Sequence, residues 1–311
     1  MSALFDKRLV FVTGKGGVGK TTVAAALGLA AARSGKRTIV CEVARQERVS
    51  RAFHREGVGP KETELADGLF AISIDPQKAM KEYLEDQIGS RRLAGLLFGN
   101  QIFDYFAAAT PGMRELTTIG KVWELAQLER RKSSDRPYDL VIVDAPASGH
   151  GLGMLGTPRT FREAVRVGPI HRQAGRIHDF LTDPRTTGVV AVALPEEMPV
   201  NETVELEDRL GDELGVPIDQ VVVNAMLPER FSADECEQIA SANGTHPVVG
   251  IRAALRAAMS EHSQAKSQRS QLRRLKREAD APVATLPFLF EADLDLDSFE
   301  QLSGELEKRI A

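Results

Sequence analysis

Seven short apolar runs punctuate the chain, at 8–13 (RLVFVT), 37–43, 69–74, 138–146, 186–196, 218–229 and 281–288. Each is rich in β-branched residues and is apolar on consecutive positions rather than alternate ones. That pattern predicts strands buried on both faces. Between them lie helix-like stretches, the first being the alanine-rich KTTVAAALGLAAARSG, which is stopped by Gly35. Alternation of buried strands with helices predicts an α/β fold, a doubly wound and mostly parallel sheet covered on both faces.

Two stretches break the alternation. Residues 76–133 hold no strand, only helix-like sequence with Leu93, Leu96, Leu97, Phe98, Ile102, Phe103 and Phe106. Residues 154–183 are similar, with Phe161, Val165, Ile177, Phe180 and Leu181. Both are expected to be helical insertions that neighbour each other in a helical subdomain of one domain spanning 1–311. A basic run at 252–277 carries eight Lys/Arg against one Glu. The expectation there is a solvated helix face, with an anionic partner surface as the sharper alternative.

Composition changes this picture little. The formal net charge of −4 gives no global reason to expect nucleic acid or membrane as a partner. The N-terminal residues read as the lead-in to a first strand, not as a signal peptide. Two cysteines, Cys41 and Cys236, stand far apart, which excludes a disulfide scaffold and predicts a cytoplasmic protein. His171 and His178 are seven residues apart, but no Cys or carboxylate accompanies them at metal-ligand spacing, so they are expected to be ordinary surface or core-rim histidines.

The chemistry is carried by TGKGGVGKTT, residues 13–22. Gly14, Lys15, Gly16, Gly17, Val18, Gly19, Lys20 and Thr21 fit G-x-x-x-x-G-K-[ST] between a strand and a helix. Glycines let backbone N–H groups turn inward on phosphates, and the helix N-terminus adds partial positive charge. Lys20 is expected on the β- and γ-phosphates of ATP or ADP, Thr21 on Mg²⁺, and Thr22 in the same cradle. Asp144 ends the run LVIVD, where a carboxylate holding Mg²⁺ through water is expected.

Lys15, directly after the first glycine, resembles the deviant Walker A signature of the family containing MinD, ParA, the nitrogenase iron protein and the ArsA-type ATPases. The resemblance implies a dimer in which Lys15 reaches the partner's phosphates. VDAPASGHGLGML (143–155) is similar to the switch II segment of ArsA-type ATPases and of the related tail-anchored-protein targeting ATPases. SIDPQKAMKEY, TPGMREL and PVNETVELEDRL resemble further segments of that branch, in order, from about residue 8 to about 290. By the same resemblance Asn224 reads the adenine, and Pro287 and Phe288 wall it. The family implies an ATP hydrolase that couples nucleotide state to opening and closing of a homodimer, or of a heterodimer with a related ATPase. It also implies binding of a hydrophobic client or membrane-protein partner.

The departures bear on function. Neither cysteine belongs to a CxxC pair, so neither a shared zinc site nor an iron–sulfur cluster is expected, and arsenite-driven transport is not expected either. The inserts contain only Met80, Met113 and Met154, fewer methionines than a client groove would favour. Most telling is CEVARQERVSRAF (41–53). Aligned without a gap, it places Ala44 where the family has the water-activating aspartate, Arg45 at the proline and Glu47 at the histidine. Three readings stay open: Glu42 or Glu47 activates the water; the chain binds ATP but turns it over very slowly; or it pairs with a subunit whose switch is intact.

Overall fold

The computed structural model describes residues 4–43, 48–53, 57–88, 110–128, 136–245, 248–291 and 293–310. Its centre is an eight-stranded sheet built from β1 (Leu9–Gly14), β2 (Thr38–Glu42), β3 (Thr63–Ala66), β4 (Leu69–Ser73), β5 (Leu140–Asp144), β6 (Thr187–Ala193), β7 (Gln220–Met226) and β8 (Val283–Pro287). The order across the sheet is β3-β4-β2-β5-β1-β6-β7-β8. The pairings are parallel except β3 with β4, so the α/β doubly wound expectation holds.

The seven runs become β1, β2, β4, β5, β6, β7 and β8. The eighth strand, β3, is a short edge strand hairpinned to β4 through Asp67 and Gly68, with Gly68 at φ 74°. Its half-exposed four residues give no continuous apolar run, but the Asp-Gly dipeptide before a strand is itself a hairpin signal.

Side-chain alternation sends each central strand to two cores. On one face Val10, Val12, Val40, Ile142, Val190, Val192 and Val222 meet α1 (Lys20–Arg33) and, at its flank, α10 (Leu296–Ile310). On the other face Leu9, Phe11, Ile39, Cys41, Val141, Val143, Val189 and Val223 meet a second helical layer. That layer draws on α4 (Met113–Leu125), α5 (Ser148–Ala164), α6 (Pro169–Thr182) and α7 (Glu197–Leu214). Burying each such Val, Leu or Ile contributes roughly 1.5–3 kcal/mol, which makes the sheet a rigid base for the loops at its ends.

The remaining helices among the described residues are α2 (Arg48–Ala52), α3 (Pro76–Ile88), α8 (Ala233–Thr245) and α9 (Val249–Glu278). Among the described parts of the two inserts, α4 touches α3, α5 and α6. Ile119, Val122 and Leu125 of α4, with Ile177 and Leu181 of α6, are buried toward the sheet. Leu93, Leu96, Leu97, Phe98, Ile102, Phe103 and Phe106 lie outside the described residues. Among the described residues no helix is long and apolar enough to cross a membrane.

The basic run folds as the greater part of α9. Much of it is solvated, as its charge suggests, but Ala265, Gln268 and Leu275 are buried.

Candidate nucleotide site

β1 lies between β5 and β6, and the chain leaves it for β2 on one side and returns to β6 on the other. This is the point at which open parallel sheets place ligands, beyond the carboxyl ends of the strands. Thr13–Thr22 occupies that point. Gly14 ends β1 at φ 145°, so close to β6 that a Cβ would stand 2.2 Å from the Val192 carbonyl oxygen. Gly19 caps α1 at φ 91°, and a Cβ there would stand 2.2 Å from Nδ2 of Asn224. Both positions demand glycine for conformation and for space. α1 therefore opens with its backbone N–H groups directed at the loop, as an anion cradle requires.

Lys20, the first residue of α1, donates from Nζ to the Lys15 carbonyl at 2.8 Å. Thr21 donates its hydroxyl to Oδ2 of Asp144 at 2.7 Å. Asp144 is the last residue of β5 and lies in register with both Val12 and Glu42. Parity places the side chains of Glu42 and Asp144 on the α1 face of the sheet, with Val40 and Ile142.

Charge in this cluster is balanced against burial. Burial raises the proton affinity of the Asp144 carboxyl, opposed by the Thr21 hydroxyl, Lys20 and Arg48. Burial likewise lowers the pKa of the Lys20 ammonium; Asp144 opposes the shift and Arg48 adds to it. The Thr21 hydroxyl and Asp144 carboxylate form an all-oxygen donor pair beside the phosphate loop, the type of site Mg²⁺ takes up with one or two protein ligands, waters and phosphate oxygens. Among the described residues no group of three or more His, Cys, Asp or Glu could hold a metal by itself. A site completed by phosphates needs no such group.

The second lysine is also engaged. Nζ of Lys15 contacts Oε1 of Glu202, on α7, at 2.7 Å, and both side chains are one-third exposed. Glu202 belongs to the NET segment; its link to Lys15 spans 187 positions and was not foreseen.

Glu42 is 2% exposed. Its Oε1 accepts the backbone N–H of Arg48 at 2.6 Å and that of Val49 at 3.0 Å, so it anchors the start of α2. Ala44 and Glu47 lie outside the described residues. Nothing in the local sequence marks Arg48; its place depends on Glu42 turning back to the α2 backbone.

On the base side, Asn224 donates from Nδ2 to the Val18 carbonyl at 3.1 Å, which leaves Oδ1 as the acceptor for an amino group. β7 is irregular immediately afterwards. Ala225 takes φ 59°, rare for a residue with a Cβ, and the β7–β8 register shifts between Val223 and Met226. Gln268 of α9 supports the irregularity: its Oε1 accepts the Leu227 N–H at 2.8 Å and its Nε2 donates to the Ala225 carbonyl at 3.4 Å. Pro287 pairs with Met226 at the end of β8, and the Phe288 N–H bonds the Met226 carbonyl at 2.9 Å. Phe288 is 42% exposed and meets Phe290 edge-on at 4.9 Å. The structure thus brings together the phosphate loop, Asp144 and Asn224, with Pro287 and Phe288 at the same end of the sheet.

The family model for the anion-transporting ATPases matches residues 7–177 and 167–247. The chain belongs to that family. The matched region contains the phosphate loop, Asp144, Glu202 and Asn224, and stops just before α9. The chain is 30% identical over 261 residues to the ATPase BagA of Mycobacterium tuberculosis, covering 82% of this chain and 75% of that one. It is 27% identical over 237 residues to a putative arsenical pump-driving ATPase of Halobacterium salinarum, covering 73% and 36%. To the ATPase GET3C of Arabidopsis thaliana it is 24% identical over 285 residues, covering 76% and 71%. The ArsA-type resemblance drawn from the motifs agrees with these matches.

Proposed function

We propose that the chain is a cytoplasmic, Mg²⁺-dependent ATP hydrolase that works as a dimer and converts nucleotide state into opening and closing toward a partner. The carrying observation is the Thr21–Asp144 contact of 2.7 Å at the mouth of a phosphate loop with both Lys15 and Lys20. In this reading Thr21 and Asp144 hold Mg²⁺, Asp144 through water, and the ion neutralises charge on the β- and γ-phosphates. Backbone N–H groups of Gly16 to Thr22 and the Lys20 amine bind the phosphates, and Asn224, Pro287 and Phe288 bind the adenine. Lys15 leaves Glu202 for the nucleotide of a partner subunit, either a second copy or a related ATPase. The helical layer over the sheet then offers a changing surface to a hydrophobic client or membrane-protein partner.

A second reading, a switch that holds ATP with very slow turnover, is favoured by one observation. The Oε1 atom of Glu42 is already committed to the backbone of Arg48 and Val49, and position 44 carries no acid. Lack of a positioned base costs typically about 10²–10⁴ in rate. Light scattering tests the feature shared by both readings. ATP with Mg²⁺ is expected to double the mass relative to ADP; a mass independent of nucleotide would count against a nucleotide-driven dimer.

A further inference from the structure

Arg48 opens α2 with its backbone N–H on the Glu42 carboxylate. Glu42 is the register neighbour of Asp144, and Asp144 accepts the Thr21 hydroxyl. The start of α2 is therefore tethered beside the metal-side end of the phosphate loop. The Arg48 side chain is exposed, and it forms no ion pair among the described residues. Its charge is felt at Lys20, where it disfavours the ammonium, and at Asp144, where it favours the carboxylate. Lys20 and Arg48 thus both lie within electrostatic reach of one carboxylate, and that carboxylate is the one suited to a metal. Such an arrangement leaves one positive charge in excess, which a polyanion would neutralise.

We propose that Arg48 contacts the γ-phosphate of ATP within its own subunit, with Glu42 as the residue that positions it. The proposal rests on the reading of the loop as an ATP site. A guanidinium offers parallel N–H donors that match phosphate oxygens. ADP has no phosphoryl group at this position, so the contact distinguishes the two nucleotides. In hydrolysis, oxygen of a water bonds to the γ-phosphorus as the bridging oxygen leaves with ADP, and one proton is released. Arg48 keeps its own protons throughout and stabilises charge on the equatorial oxygens. The segment that lacks the family's acid thereby contributes a cation held by a neighbouring acid.

Calorimetric binding of ADP and of the non-hydrolysable analogue AMP-PNP, each with Mg²⁺, tests this in the wild type, Arg48→Ala, Arg48→Lys and Lys20→Ala. The Arg48–Glu42 bond uses the backbone, so side-chain replacement preserves it, and thermal melts check the fold. Arg48→Ala is expected to weaken AMP-PNP binding by about 10-fold or more while changing ADP by less than about twofold, the loss expected for a hydrogen bond to a charged group. Arg48→Lys should recover part of the difference. Equal effects on both nucleotides, or no effect on either while Lys20→Ala weakens both, would overturn the γ-phosphate contact alone. Failure of the wild type to bind either nucleotide would overturn the contact and the ATP-site reading together.

Discussion

The ammonium of Lys15 rests on Oε1 of Glu202, 2.7 Å away, although 187 positions separate them in the chain. Lys15 is the residue through which the family resemblance implies a dimer. In the free subunit it is thus restrained by a carboxylate of its own α7. The pair is one-third exposed, so it adds at most about 1 kcal/mol to stability. Its effect is expected on association: Glu202→Gln should leave the melting temperature nearly unchanged and lower the protein concentration at which ATP drives dimer formation. Sedimentation velocity checks this, and weaker association in the variant would argue that Glu202 also acts within the dimer.

Gly19 combines φ 91° with a backbone pressed against Asn224. Gly19→Ala imposes a left-handed Cβ penalty of about 1–2 kcal/mol, or a fall of roughly 1.5–3 °C in melting temperature for a chain of this length. It should also push Nδ2 of Asn224 aside and weaken nucleotide binding. A melt and an ATP titration of the same preparation measure both consequences.

Gln268 never meets the nucleotide in the proposed arrangement, yet it holds the irregular backbone after Asn224. Gln268→Leu leaves the buried Leu227 N–H without its acceptor, at a cost of about 1–3 kcal/mol. Chemical denaturation should register the loss. ATP should bind more weakly to the folded variant than inorganic tripolyphosphate does, relative to wild type, because the adenine side is disturbed and the phosphate side is not.

Glu42 admits a direct separation of anchoring from catalysis. Glu42→Gln keeps a side-chain oxygen for the Arg48 and Val49 N–H groups, whereas Glu42→Ala removes it. If the residue only anchors α2, the Gln variant should retain most turnover and the Ala variant should lose stability. If it activates water, turnover should fall about 10²-fold or more in the Gln variant with its melt unchanged.

The strands were legible because both faces of the sheet are covered, so each one reads as a continuous apolar run. β3 escaped that test because an edge strand with one exposed side shows no such run. Within the site, the phosphate loop was legible because adjacent residues build it, and β1 and α1 follow directly from the local pattern. Lys15–Glu202 and Gln268–Leu227 are contacts between distant segments; nothing local marks Gln268, and the PVNETVELEDRL segment does not reveal that its Glu202 meets Lys15. Gln268 is hidden further by the basic residues around it, whose charge suggests a solvated helix face and says nothing of the face opposite. Arg48 was in view, but its placement depends on Glu42 turning back to the α2 backbone, a fact of three-dimensional geometry.

The Thr21–Asp144 end of the loop is expected to support Mg²⁺-dependent ATP hydrolysis. Phosphate release by the purified chain, with and without Mg²⁺ and beside Asp144→Asn, tests it most directly. Release that requires Mg²⁺ and falls by about 10–100-fold in the variant, as loss of a carboxylate acting through a metal-bound water should produce, is the predicted result. No release above background from the wild type, or release indifferent to Mg²⁺ and to Asp144→Asn, would contradict it.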